Sequence, residues 1–224
     1  MTQTDQTTWH TIRYRLTDPV AGVTAWQAEA FGLLLAERAY PVLQATCREN
    51  ASDAYGLFRH GLGRLWDHLE GRMSPRLRLV QPDDIEALAR ALPDTATAAR
   101  AVAAATICQH LVRFVASGDR GDIAQAAITA YAGALTAWAP GYRLPDDGDW
   151  ARAIPFDEID VFAQTVANAP EVQAEVLRQA ADLAFIEALR GERAAQFDAM
   201  RRRAFLPGTP AADDASSIAP SRAG

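Results

Sequence analysis

Residues 26–41, WQAEAFGLLLAERAYP, decide how this chain folds. Phe31, Leu34, Leu35 and then Val42 recur at the three- and four-residue spacing of one helical face. Thr24 stands just ahead of them and Gln27 follows three residues later. That is the pattern of a capping box, in which two side chains satisfy backbone N–H groups that the first turn leaves free. The stretch reads as a strongly amphipathic helix. It carries an adjacent acid–base pair, Glu37 and Arg38, and meets Pro41 within its own length. Proline in a helix interior removes a donor and crowds the preceding turn, at a cost of about 3 kcal/mol. Val42, Leu43 and Ala45 nevertheless continue the apolar pattern, so Pro41 is expected to kink this helix and not to end it.

Working outward, the same spacing recurs along most of the chain. A second helix is expected from about Ser52, with Phe58, Leu62, Leu65 and Leu69 as its stripe, Trp66 beside it and Gly71 as its stop. Gly61 and Gly63 suggest that another helix crosses it closely. Pro82 followed by Asp83, Asp84 and Glu86 opens a short third helix that stops at Pro93. Asp94 is the expected cap of a fourth, running through Val102, Ile107, Leu111 and Val115 to Gly118. A fifth helix then runs to Pro140. Ala126, Ala130, Ala134 and Gly133 give it a face of small residues, so the fourth and fifth are expected to form a tight antiparallel hairpin at the centre of the protein.

Residues 142–155 form the longest irregular stretch, made acidic by Asp146, Asp147 and Asp149. A short helix over 157–168 and one long last helix from Pro170 to about Phe205 complete the pattern. The expectation is an all-α fold: a single-domain helical bundle of about six to seven helices over residues 21–205. An N-terminal segment, residues 1–20, precedes it. Within that segment Ile12, Tyr14 and Leu16 alternate like a short strand. Residues 206–224 shift to Pro, Gly, Ser, Ala and Asp and read as a disordered tail.

Composition narrows the function. The 224 residues carry a formal net charge of −6, and with no lysine present all 22 basic residues are arginine. An acidic chain is a poor match to sequence-independent nucleic-acid binding, which needs many basic contacts to phosphates. No apolar run approaches the roughly 18 residues of a membrane span, since residues 101–116 are interrupted by Gln109, His110 and Arg113. The N-terminus lacks the pattern of a secretory signal, so the expected location is the cytoplasm. Cys47 and Cys108 sit in no metal-binding or redox spacing and read as buried thiols, with a disulfide or a reactive thiol as the other readings.

No catalytic or cofactor motif emerges. None of His10, His60, His68 and His110 follows an acid by three residues, and His60 and His68 are eight apart, too far for an i,i+4 zinc pair. Cys108 and His110, two apart on a helix, point away from each other. No phosphate-binding glycine loop or nucleophile elbow is present. No cofactor, metal or catalytic residue is therefore assigned. What stands out is a candidate polar node, Glu37, Arg38 and Tyr40. Asp182, Glu187 and Glu192 of the last helix are within its expected reach. A buried charge persists only when paired or hydrogen-bonded. The node therefore reads as a hydrogen-bond or ion-pair cluster fixing helix register, or as a ligand-binding acid, or as an exposed pair. Arg201, Arg202 and Arg203 suit the negative end of a helix dipole.

Taken together, Trp26, Phe31, Leu35 and the block Glu37-Arg38-x-Tyr40-Pro41 resemble the YjaG-like family of bacterial proteins of unknown function. Leu65-Trp66 with Leu69, the alanine-rich run 98–112, the fifth helix and residues from 169 onward extend the resemblance over roughly 9–205. It implies an all-helical cytoplasmic bacterial protein and carries no catalytic residues. The expected role is non-catalytic, through contact with an unknown protein partner or a second copy of the chain. An immunity- or antitoxin-like binder is one version, with Asp146, Asp147 and Asp149 as candidate partner-binding residues. Self-association through an apolar helix face is another. The alternative is a small-molecule enzyme or ligand-binding protein with a polar pocket around Glu37, Arg38 and Tyr40.

Overall fold

In the computed structural model, the described residues are 20, 22–72, 81–138, 169–190 and 193–205. The expected N-terminal strand, the acidic stretch with Asp146, Asp147 and Asp149, the helix over 157–168 and the C-terminal tail lie outside them. The described residues form seven helices and no strand: α1 (Ala25–Glu49), α2 (Tyr55–Leu69), α3 (Pro82–Ala91), α4 (Ala96–Ser117), α5 (Arg120–Trp138), α6 (Pro170–Ala188) and α7 (Arg193–Phe205). The fold is all-α.

Helix α1 is the centre of the bundle. Every residue from Ala28 to Glu37 is buried, so this helix is covered on all sides. The amphipathic reading of residues 26–41 is corrected accordingly. Phe31, Leu34 and Leu35 make one face, but Ala28, Ala30, Leu33 and Ala36 make the others just as apolar. The cap is as expected, with the Gln27 N–H donating to Thr24 Oγ1 at 3.2 Å and the Thr24 N–H to Gln27 Oε1 at 2.8 Å. The helix passes through Pro41, which lies on its exposed side. There water can serve the Glu37 carbonyl whose usual i+4 donor proline lacks.

Helices α4 and α5 form the expected hairpin. Gly118 supplies the turn in the left-handed conformation at φ 74° and ends α4. Thr95, not Asp94, caps α4 by accepting from the Ala98 N–H at 3.2 Å. The hairpin packs against α1 and is not itself the centre of the bundle. It closes tightly on α1 at Gly32, where an added Cβ would lie 2.8 Å from Leu111 Cδ1 and 2.9 Å from Ile123 Cδ1. The crossing expected at Gly63 is not found, since nothing lies within 4 Å of a Cβ there.

The long last helix is two helices. Leu189 leaves the helical region at φ −58°, ψ 127°, and the Arg190 guanidinium donates to the Leu189 carbonyl at 2.8 Å. Glycine at 191 in the sequence further weakens helix propensity at this point. The break lets α7 turn back onto α1, bringing Phe197 to Trp26 with ring centroids 6.4 Å apart and burying Met200 and Ala204.

Two glycines give a paired prediction. Gly32→Ala forces Leu111 and Ile123 aside in a packed core, an overpacking cost of about 1–3 kcal/mol that exceeds the gain in helix propensity. Gly133→Ala meets only Ala103 Cβ at 3.7 Å, an ordinary contact, and is expected to stabilise by about 0.5–1 kcal/mol. Urea midpoints of the two variants should move in opposite directions.

Candidate functional site

Glu37 and Arg38 are neighbours in sequence but about 100° apart around α1, so they leave the helix on different sides. Glu37, 2% exposed, faces α2. Arg59 grips it with both guanidinium nitrogens, Nη1 to Oε2 and Nη2 to Oε1, each at 2.6 Å. Trp66 Nε1 donates to Oε1 at 2.8 Å. Tyr40, one turn on, lies under Arg59, whose Cζ is 5.2 Å from the ring centroid, and its hydroxyl donates to the Tyr55 carbonyl at 3.4 Å. Burial pushes the Tyr40 hydroxyl's pKa above its ordinary value, and the Glu37 hydrogen bonds push that of Arg59 up as well. The carboxylate thus has three charge-assisted or buried donors and no open side.

Arg38 faces the other way, toward α6. Its Nη1 donates to Asp182 Oδ2, and its Nη2 lies 3.6 Å from Glu175 Oε1. Asp182 is 1% exposed and takes a second guanidinium, Arg203 Nε at 2.9 Å, from α7. Glu175 is shared with Arg178 Nη1 at 2.9 Å and Gln179 Nε2 at 3.0 Å, and the same Gln179 nitrogen reaches the Ala127 carbonyl of α5 at 3.2 Å. One turn of α1 therefore ties α2 on one side and α5, α6 and α7 on the other. Of the acids expected near the node, Asp182 is in it, Glu187 is exposed, and Glu192 lies outside the described residues.

Sequence reasoning missed Arg59, Trp66, Glu175 and Arg203 as partners. A partial signal existed for Arg59 and Trp66, seven apart on the helix that follows α1. The arginine run at the end of α7 does more than serve a dipole. Arg203 holds Asp182, and Arg201 lies 4.8 Å over the Trp66 ring while its Nε donates to Glu70 Oε1 at 3.1 Å. Arg202 is exposed.

Most of the remaining chemistry-bearing groups are enclosed. Cys47 and Cys108 are both buried and free. The Cys108 thiol is pushed up to about 12 by burial, with the Glu37 charge adding to it, which leaves it protonated and a poor nucleophile. His68 Nδ1 lies 2.6 Å from Glu29 Oε1; burial raises the pKa of Glu29, and the His68 contact offsets part of the rise. His60 is exposed. Among the described residues, no group of three His, Cys, Asp or Glu side chains could hold a metal ion. No helix among them is long and apolar enough to cross a membrane.

A cavity of about 320 Å³ opens beside Arg38, between α1, α4, α5 and α6. Its charged lining is Arg38, Arg100, Arg178, Glu171 and Glu175, over a floor of small and aliphatic residues that includes Leu35, Ala103 and Gly133. Glu37 and Tyr40 do not reach it.

No protein-family model matches the chain, and no curated protein matches it. Among solved structures, the chain is similar to a crystal structure of a DUF416 family protein from Shewanella baltica, with a TM-score of 0.56. The two are 16% identical, and the alignment covers 82% of this chain and 89% of the other. The likeness shows the fold. At that identity it carries no residue roles.

Two predictions test the site. Glu37→Leu strands the buried Trp66 N–H and leaves Arg59 to solvent, so it should destabilise by about 1–3 kcal/mol, while Glu37→Gln keeps an acceptor for Trp66 and should cost less. Urea denaturation separates them. The second concerns His110, whose pKa burial lowers from 6.5, with Asp122 Oδ1 3.7 Å away pulling the other way and Arg113 adding to the depression. Below pH 6.5 the unfolded chain then binds more protons than the native one, so the neutral-histidine contribution is full above that pH and is lost as pH falls. The stability gap between the wild type and His110→Gln should shrink from pH 7.5 toward about pH 5; a gap that widens toward acid would contradict the assignment.

Proposed function

We propose that this chain is a non-catalytic helical protein of the cytoplasm that acts through protein–protein contact, with the outward face of α6 as its docking surface. One observation carries the reading. Leu177 is 59% exposed, at the middle of a seam formed by Ala174, Leu177, Ala181, Ala184 and Ala188. The spacing alternates three and four residues, as at a coiled-coil interface. The inward face of the same helix is held by Glu175, Gln179 and Asp182, so the seam is presented on a rigid support.

The occupant that fits is a second copy. Antiparallel docking centred between Ala180 and Ala181 sets Leu177 of each copy against Ala184 of the other. Small residues let two such helices approach closely. A single-helix contact lies at the low end of interface sizes, so a micromolar, reversible dimer is expected. The resemblance of the Glu37-Arg38-x-Tyr40-Pro41 block to YjaG-like proteins becomes, on this reading, a shared structural node. An immunity- or antitoxin-like version, in which the acidic chain meets a basic partner, draws support from the net charge of −6. A small-molecule enzyme at Glu37, Arg38 and Tyr40 has less support, because the Glu37 carboxylate is already fully engaged.

Sedimentation velocity from 1 to 100 μM is the test. The weight-average mass should rise from 24.2 kDa toward twice that value, and Leu177→Glu should hold it at 24.2 kDa with unchanged thermal stability. Wild-type protein that stays at 24.2 kDa throughout would sink the self-association reading.

A further inference from the structure

The cavity beside Arg38 is unlike the rest of the interior. Elsewhere Leu33, Leu34, Leu62, Leu65 and Trp66 fill the space between helices. Here Ala103, Ala104, Ala130, Gly133 and Ala134 leave about 320 Å³ open. That volume is at the lower end of small-molecule sites, roughly 300–1,000 Å³.

Among the described residues, three guanidiniums line it against two carboxylates. Glu175 is shared by Arg38, Arg178 and Gln179, and Arg38 and Arg178 are each engaged with it. Arg100, half-buried, makes no ion pair or hydrogen bond with any described residue. Behind the wall, Arg38 Nη1 is taken by Asp182 and its Nη2 lies 3.6 Å from Glu175 Oε1. Arg100 is therefore the guanidinium here that no described acceptor engages. Glu171, at the first turn of α6, is exposed at the rim, where the helix dipole already favours an acid.

We infer that this cavity is a binding site for a small aliphatic monoanion. Arg100 takes the anionic head, with Arg178 beside it, and Leu35, Val42, Ala103, Ile107 and Ala130 enclose the body. A guanidinium fork suits either a carboxylate or a phosphate ester. The cavity shares Ala174 with the Leu177 seam, but its test is read at amides of α4 and α5, away from that seam.

The experiment is a two-dimensional amide NMR titration of the full labelled chain with 4-methylpentanoate, isopentyl phosphate and the uncharged 4-methylpentanamide. At least one anion should shift the amides of Ala103, Ala104, Ala130 and Gly133 saturably, with a Kd on the order of 1 mM for so small a ligand. Which anion binds more tightly assigns the head group. The amide should bind at least about tenfold more weakly, and Arg100→Gln should weaken the anion by a similar factor while leaving the spectrum of the free protein otherwise intact. Ala103→Leu fills the cavity and should abolish binding; if it does not fold, Gly133→Ala, whose Cβ has room at 3.7 Å from Ala103, narrows the same space. Absence of saturable shifts with both anions, equal binding of the amide, or undiminished binding to Arg100→Gln would each overturn the assignment.

Discussion

A helix buried on every side can carry a full charge only where a partner of opposite sign reaches it. Helix α1 does this twice in consecutive residues. Glu37 is met by Arg59 and Trp66 from α2, and Arg38 by Asp182 and Glu175 from α6, with Arg203 of α7 closing the second set. Leucine and alanine occupy most of the circumference of α1, so away from the tight fit of Leu111 and Ile123 against Gly32 its apolar packing discriminates little between registers. The two ion clusters discriminate strongly, because sliding or rotation by a residue strips a buried carboxylate or guanidinium of its partners. Register and rotation of the central helix are therefore specified by these polar groups together with the fit at Gly32, while apolar burial supplies the driving force.

The same arrangement separates structure from interaction. Polar side chains on the inward face of α6 are consumed in holding α1 and α5. Its outward face carries a strip of alanine with one exposed leucine, flanked by Glu171, Gln173 and Glu187. The cavity lies at the boundary between the two, walled by the small residues of α4 and α5 and rimmed by arginines. The proposed docking seam and the proposed ligand cavity thus both border one rigidly held helix, and neither uses Glu37.

Much of this fold was legible in the sequence. The capping box at Thr24, the stop at Gly118, the proline start of α3 and the apolar stripes of α2 and α4 are local signals, and each led to a helix in the expected place. What depended on tertiary context was harder. Consecutive burial from Ala28 to Glu37 looks like amphipathicity when only large residues are weighed, because alanine is equally at home on a surface. Nothing local says that Glu37 and Arg38 find different partners. Choosing Arg59, and not Arg64 or Arg72, requires knowing how α2 crosses α1. The break at Leu189 was masked by helix-forming residues on both sides of Gly191. At the cavity, small residues at 130, 133 and 134 signalled close helix packing, which they provide near Gly133, but not the space they leave beside it.

Double-mutant cycles test the central claim most directly. Glu37→Gln with Arg59→Gln forms one cycle, Arg38→Gln with Asp182→Asn the second, and Glu37→Gln with Asp182→Asn a cross-cycle between the two clusters. The account predicts coupling of about 1.5 kcal/mol or more within each cluster and additivity within about 0.5 kcal/mol across them. Coupling near zero within both clusters would contradict it, and would leave apolar packing alone as what positions α1.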